Sequence, residues 1–234
     1  MTSPGDSPLD AGVVIVAAGA GVRAGPGDPK QFRPIHGVPM LLRALRPFTS
    51  HPAVRQVVVV LPPGFVAHPP EWLVKLVGER LALVAGGATR AQSVLAGLRG
   101  LLPDAAVVLI HDGARPFVTR ETIDAVLGAA RAGVGAVAAI RVTDTVKDVE
   151  RDRITKTVAR DRLWRAQTPQ GFPRAMIERA YASLANGDAA ATDDAELCER
   201  AGFPVEVVPD SPYNLKVTTA DDFRIAEALA RELR

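Results

Sequence analysis

Residues 13–30 read VVIVAAGAGVRAGPGDPK, an apolar run of strand character that breaks into a glycine loop. Within it, Gly19-Ala20-Gly21-Val22-Arg23-Ala24 fits the dinucleotide fingerprint G-x-G-x-x-G/A directly after a strand. That fingerprint works only where a helix begins at the glycines and offers its N-terminus to a pyrophosphate. Here Gly25-Pro26-Gly27-Asp28-Pro29 follows, and two prolines with two glycines do not continue a helix. The acidic ribose ligand expected about 20 residues later is missing, since that region reads His36-Gly-Val-Pro-Met40. A Walker G-K-[ST] ending is absent too. What survives is a long glycine loop carrying Arg23 and Lys30. Glycines let backbone N–H groups approach phosphate oxygens, and two fixed cations offset phosphate charge. From the loop alone, an ordinary surface loop with solvated charges stays open.

Outward from this loop, apolar runs alternate with helix-like ones. Strands are expected at 13–17, 54–61, 81–84, 106–111 and 135–140, almost wholly apolar, as parallel strands covered on both faces are. Helical patterns lie between them at 40–49, 71–80, 89–102 and 119–132. The order predicts an α/β chain with a doubly wound, mostly parallel (Rossmann-like) sheet and ligands at the carboxyl ends of its strands. With 47% hydrophobic and 23% charged residues among 234, a sizeable core is available. A net charge of +2, with dispersed Lys and Arg, suggests neither nucleic-acid nor membrane binding. No apolar run approaches the roughly 18 residues that span a bilayer. One cysteine, Cys198, forbids an internal disulfide and fits a reducing cytoplasm.

The alternation stops near residue 141. Residues 141–160, RVTDTVKDVERDRITKTVAR, show period-two alternation around an Arg-Asp turn, so 145–149 and 154–158 read as an antiparallel hairpin. It has little apolar surface of its own, and an isolated hairpin is marginal in water. A second subunit is the obvious partner for such an arm. Beyond it, 173–185, 193–201, 205–208, 214–217 and 219–234 return to helices and short strands that complete the sheet. Residues 1–10, polar with two prolines, read as a disordered tail rather than an export signal. Residues 11–234 then form a single domain, with 141–160 as a dimerisation arm.

The pattern Ala17-Ala18-Gly19-x-Gly21-x-Arg23, then Pro29-Lys30-Gln31-Phe32, is similar to nucleotidyltransferases that join a nucleotide to a sugar or polyol phosphate. Further motifs follow in order: Gly86-Gly87-x-x-Arg90-x-x-Ser93, His111-Asp112-Gly113-Ala114-Arg115-Pro116 and Asp144-Thr145-Val146-Lys147. Arg160-x-x-Leu163-Trp164-x-Ala166-Gln167-Thr168-Pro169-Gln170, Thr192-Asp193-Asp194 and Asn214-Leu215-Lys216-Val217-Thr218 complete them. Together they resemble the 2-C-methyl-D-erythritol 4-phosphate cytidylyltransferase family, from about residue 13 to 234. Ala88, where members often carry an acid, and Gly113, where Ala is common, depart from the pattern. The resemblance implies CTP plus a polyol phosphate, methylerythritol phosphate, giving a CDP-alcohol and pyrophosphate with Mg²⁺. It places the enzyme in non-mevalonate isoprenoid precursor biosynthesis. Two anionic groups must meet, so catalysis consists of positioning and charge stabilisation.

The resemblance assigns Arg23, Lys30 and Lys216 to the triphosphate and its transition state. By spacing alone, Lys216 reads rather as an edge-strand lysine that blocks aggregation. Ala17, Ala18, Gly19, Gly21, Gly86, Gly87, Arg90 and Ser93 would shape the nucleotide pocket. Asp112 ends an apolar strand and is assigned to Mg²⁺ and substrate, with a turn-capping aspartate the equal alternative. Gly113 would meet substrate by its backbone, and Arg115 would hold the substrate's phosphate or hydroxyls. His111 reads as a packed strand-end residue, because no second His or Cys gives metal-ligand spacing. Thr145 and Arg160 would cross with the arm to contact the alcohol phosphate in the neighbour's site; a solvated arm with weak surface ion pairs is the alternative. Trp164 and Thr168-Pro169-Gln170 are expected to anchor the arm's base. Asp193, Asp194 and Asp221 could face the site, although helix starts account equally for Asp193 and Asp221. Two rival functions remain: a ribitol-5-phosphate cytidylyltransferase, and a non-catalytic nucleotide-binding regulator.

Overall fold

A computed structural model of the chain describes residues 9–19, 29–184 and 191–233. The chain runs β1 (Ala11–Val16), β2 (Pro34–Ile35), β3 (Val38–Pro39), α1 (Met40–Thr49), β4 (Val54–Leu61), α2 (Pro63–Ala67), α3 (Glu71–Val74) and β5 (Leu81–Ala85). Next come α4 (Arg90–Gly100), β6 (Val107–Asp112), α5 (Arg120–Arg131), β7 (Gly135–Arg141), β8 (Val146–Glu150), β9 (Arg153–Val158) and β10 (Trp164–Pro173). It closes with α6 (Arg174–Leu184), α7 (Asp194–Arg200), β11 (Val205–Pro209) and α8 (Ala220–Glu232). Seven strands make one sheet in the order β11-β7-β10-β6-β1-β4-β5. β10 alone runs against its neighbours, antiparallel to both β6 and β7.

The period of two along each strand builds two cores. Val13 and Ile15 of β1 face one side with Leu41, Leu45 and Phe48 of α1 and Ile123, Val126 and Leu127 of α5. Val14 faces the other with Val94 and Leu98 of α4, Ile177 of α6 and Leu197 and Cys198 of α7. Covering on both faces accounts for the near-continuous apolar strands: every residue of β6 is buried. A smaller cluster joins Ala226 and Ala230 of α8 to Ile35, Met40, Phe117 and Val217.

Three expectations need correction. The helix expected over 71–80 ends at Val74. Only Leu73 in α3 is buried, Val74, Leu76 and Val77 are exposed, and Gly78 exchanges backbone hydrogen bonds with Leu81. Without a buried stripe there is nothing to hold further turns. Residues 214–217, expected as a short strand, form no ladder; Val217 N–H donates to the Ala114 carbonyl at 2.8 Å. Residues 168–170, expected at the arm's base, lie inside β10 at the centre of the sheet. Trp164 does stand at that base, opposite Arg141, whose guanidinium lies 4.5 Å from the indole centroid.

The hairpin β8–β9 is a separate two-stranded sheet, and Arg151 and Asp152 form its turn with φ of 44° and 66°. Two successive left-handed residues match the twist of the flanking strands. Almost every residue of the arm is exposed, including Val149 at 52% and Ile154 at 63%. The expected tail falls largely on residues 1–8, outside the described residues.

Candidate active site

A cleft of about 610 Å³ opens at the carboxyl ends of β1 and β6, which are paired with Val16 opposite Asp112. Ala17, Ala18 and Gly19 continue β1 along its wall, and Gly113 and Ala114 continue β6. Gly87, Arg90 and Ser93 line it from the start of α4, Lys30 and Gln31 from a 3-10 turn, and Lys216 from the segment after β11. Gly86 lies just behind: a Cβ there would stand 2.4 Å from Ala18 Cβ and 2.8 Å from Ser93 Oγ. Only glycine allows β5 and α4 to close on β1 in this way. Thr89 caps α4 by accepting from Gln92 N–H, and Gln92 Oε1 accepts from the N–H groups of Ala88 and Thr89, which fixes the loop's path into the helix.

Asp112 is the centre of charge. Its Oδ2 lies 2.7 Å from Lys216 Nζ and 3.9 Å from Arg115 Nε, and its Oδ1 lies 3.8 Å from Arg90 Nε. Burial alone would raise this carboxyl's pKa. The nearby cations Lys216, Arg90 and Arg115, with the hydrogen bond from Lys216, outweigh burial and hold it at about 2. Asp112 is therefore an anion at neutral pH. Lys30 Nζ donates to the Val217 carbonyl at 3.1 Å, so both lysines meet at the 216–217 segment.

Arg90 is held from behind. Its Nη1 and Nη2 donate to Asp194 at 3.0 and 2.6 Å, the two-pronged geometry a guanidinium offers a carboxylate. Asp194 is fully buried and also accepts from Tyr181 Oη at 2.5 Å. Burial works against the Arg90 charge, but Asp194 more than offsets it and raises the pKa; burial and the same carboxylate push Tyr181 up as well. Asp193 caps α7 by accepting from Glu196 N–H, and its other oxygen accepts from Gln170 Nε2. Asp221 is exposed and pairs with Arg224. Burial lifts the Cys198 thiol to about 12, with Asp194 adding to the effect, so it serves as packing.

Among the expected site residues, Lys30, Lys216, Ala17, Ala18, Gly19, Gly87, Arg90, Ser93, Asp112 and Gly113 come together around this cleft. Gly21 and Arg23 lie outside the described residues. Arg115 is buried, and its Nη1 donates to the Asn214 carbonyl at 2.7 Å. Thr145 and Arg160 are exposed on the arm's limbs and do not line the cleft of their own chain. A Cβ on Gly113 would fall 3.0 Å from Ala17 Cβ and 3.1 Å from Leu41 Cδ1, so glycine at this position relieves crowding at the end of β6. Sequence reasoning missed Tyr181, which carries no charge and falls in no motif, and gave Asn214 no role although it opens the 214–218 motif. Gln31 and Thr218 also line the cleft, and both lay in quoted motifs without a role.

The sequence pattern of the 2-C-methyl-D-erythritol 4-phosphate cytidylyltransferase family matches residues 11–232. A 2-C-methyl-D-erythritol 4-phosphate cytidylyltransferase of Roseobacter denitrificans is 44% identical over 225 residues, covering 95% of this chain and 98% of the relative. One from Syntrophus aciditrophicus is 41% identical over 226 residues, covering 94% and 95% respectively. The crystal structure of 2-C-methyl-D-erythritol 4-phosphate cytidylyltransferase from Thermus thermophilus superposes with a TM-score of 0.79 at 36% identity, covering 94% of this chain and 98% of that one. The fold, the order of motifs and these matches agree, and the chain belongs to the 2-C-methyl-D-erythritol 4-phosphate cytidylyltransferase family.

Proposed function

We propose that the chain transfers the cytidylyl group of CTP to 2-C-methyl-D-erythritol 4-phosphate, giving 4-CDP-2-C-methyl-D-erythritol and pyrophosphate, a step in isoprenoid precursor formation. A phosphate oxygen of the alcohol phosphate forms the new bond to the α-phosphorus as the bond from that phosphorus to the bridging oxygen breaks, and pyrophosphate leaves with the electron pair. No covalent intermediate is required. The observation that carries the reading is the wall of Lys30, Arg90 and Lys216 around the Asp112 carboxylate at the carboxyl ends of β1 and β6. Lys30 and Lys216 counter the negative charge on the triphosphate and on the five-coordinate phosphorus, and Arg23 joins them in this role. Backbone groups at Ala17, Ala18 and Gly19, with Gly86, Gly87 and Ser93, hold base and ribose. Gly113 offers its backbone to the substrate, and Arg115 supports the substrate region by holding Asn214.

Mg²⁺ belongs to this reading. Among the described residues no group of three His, Cys, Asp or Glu side chains forms a metal cage. Mg²⁺ on a nucleotide needs none, because one or two carboxylates with phosphate oxygens and waters complete its shell. Asp112, the one carboxylate among the described cleft residues, fits that requirement. When bound, the ion supplies charge neutralisation to the phosphates.

The reading includes a homodimer and a cytoplasmic location. Val149 and Ile154 are more than half exposed on an arm with no core of its own, which a second copy would cover. Thr145 of the partner subunit and Arg160 of the partner subunit would then complete the alcohol-phosphate site. Shortening residues 146–158 to a tight turn is expected to give a monomer of low activity by ultracentrifugation and assay; a fully active monomer would sink the shared site. No described helix is long and apolar enough to cross a membrane, and charge gives no cause to expect nucleic acid.

A pyrophosphate-release assay with each nucleoside triphosphate and each alcohol phosphate tests the assignment. Turnover is expected with CTP and methylerythritol phosphate. Turnover confined to ribitol 5-phosphate would overturn the substrate assignment, and nucleotide binding with no turnover would favour a regulator.

A further inference from the structure

Behind the cleft, four buried residues close a ring of hydrogen bonds. His111 Nδ1 lies 3.0 Å from Thr168 Oγ1, and His111 Nε2 lies 3.0 Å from the Arg115 carbonyl. Arg115 Nη1 donates to the Asn214 carbonyl, and Asn214 Nδ2 donates to the Thr168 carbonyl at 2.8 Å. All four are at most 8% exposed. Asp112 N–H also donates to Thr168 Oγ1, at 3.0 Å.

For a neutral imidazole the donors and acceptors allow one assignment. The Arg115 carbonyl only accepts, so His111 Nε2 carries the proton. The neutral ring then has a bare Nδ1, which accepts from the Thr168 hydroxyl, and that hydroxyl in turn accepts from Asp112 N–H. Asn214 Nδ2 is anchored further by Asp210 Oδ2 at 2.6 Å, and its carbonyl also accepts from Gln167 Nε2.

The ring joins two chain segments far apart in sequence. One end is the backbone of Asp112; the other is Asn214, two residues before Lys216. Between them, Val217 N–H on the Ala114 carbonyl sets the remaining gap. We propose that Thr168 and His111 are positioning residues for nucleotidyl transfer: through Arg115 and Asn214 they hold the Asp112 turn and the Lys216 segment at the separation that places Lys216 on the reacting phosphate. This rests on the role given to Lys216 under the proposed function. A hydrogen-bonded ring around catalytic groups supplies the preorganisation such a site needs, and small misplacements are costly in rate.

The test uses the full chain as wild type, Thr168→Val and Thr168→Ser, assayed by pyrophosphate release well below each protein's melting transition. Val keeps the shape and removes the hydroxyl; Ser restores it. Thr168→Val is expected to lower kcat roughly 10- to 100-fold with the KM for CTP within about twofold, and Thr168→Ser to recover most of the rate. A Thr168→Val protein that is folded and keeps near-normal kcat, or a Thr168→Ser protein as impaired as Thr168→Val, would overturn the proposal. Should Thr168→Val not fold, nitrogen NMR of the wild-type imidazoles decides, with His111 assigned among the four histidines. A neutral ring with Nε2–H and bare Nδ1 supports the ring, and a proton on Nδ1 at neutral pH overturns it. A wild type without turnover on any alcohol phosphate would sink the reaction reading, leaving the ring to the imidazole measurement.

Discussion

The cleft and the arm are both rich in charge, yet they treat it in opposite ways. Around the cleft, Asp112 and Asp194 are almost or wholly out of solvent, and each finds two or more partners. On the arm, Lys156 and Asp148 pair at 3.3 Å with side chains 68% and 48% exposed. Water surrounds both partners of the arm's pair, whereas at the cleft it reaches mainly the cation side of each pair. Geometry at the cleft is thus set by buried contacts, whereas the arm's described ion pairs and turn lie open to solvent.

Four measurements can break or sharpen that contrast. The largest effect is expected from Lys30→Ala, which should lower kcat by about 10²–10³-fold, the order seen on removing one oxyanion donor. The KM for CTP should change little; near-normal turnover would refute a transition-state role for Lys30. Next, Asp194→Ala should destabilise the fold by about 3 kcal/mol, the low end for a broken buried pair because the Arg90 side chain is 31% exposed and can hydrate. Denaturant unfolding reports this, and a loss below about 1 kcal/mol would place Arg90–Asp194 in the same class as surface pairs.

Acid comes third. The folded His111 binds its proton only near pH 4, whereas the unfolded chain binds it near 6.5. Unfolding therefore takes up a proton in this window, and the melting temperature should start to fall below about 6.5. Asp112, depressed from 3.8 to about 2, contributes stability that is present above 3.8 and lost as pH falls towards 2. A melting temperature flat between pH 6.5 and 5 would contradict a buried neutral His111. The smallest effect belongs to the arm: Lys156→Ala should change stability by less than about 0.5 kcal/mol, within the range of an exposed ion pair. A loss several times larger would show that the arm's charges are covered in solution.

Legibility in the sequence followed the same divide. The strand over 54–61 and the helix over 40–49 were readable because one periodicity and one burial pattern agree over eight or more residues. The hairpin was readable from its alternation, down to its Arg-Asp turn. β10 was not. Its sequence, WRAQTPQGFP, places a proline and a glycine in mid-strand, which ordinarily argues against a central strand. The sheet accommodates them because the β10–β7 register shifts between Ala166 and Gln170, so Pro169 has no ladder bond to lose there. Asp112, Lys216 and Lys30 were visible as charges in motifs. Tyr181, Asn214 and the hydroxyl of Thr168 were not, since their contributions depend on contacts 13 to 57 residues away along the chain. Only the folded state brings those partners together.

The antiparallel seat of β10 also bears on how the chain emerges during synthesis. When residues up to 141 have been made, β6 has β1 on one side and an open edge on the other, while β7 has no neighbour at all. The arm and then β10 must follow before that gap is filled, and β11 still later. A nascent chain of this protein therefore carries apolar, unpaired strand edges through the middle of translation, the state most open to mispairing with other chains. The strand that joins the two halves of the sheet is thus also the one that closes the gap between β6 and β7, leaving the far edge of β7 for β11 to cover.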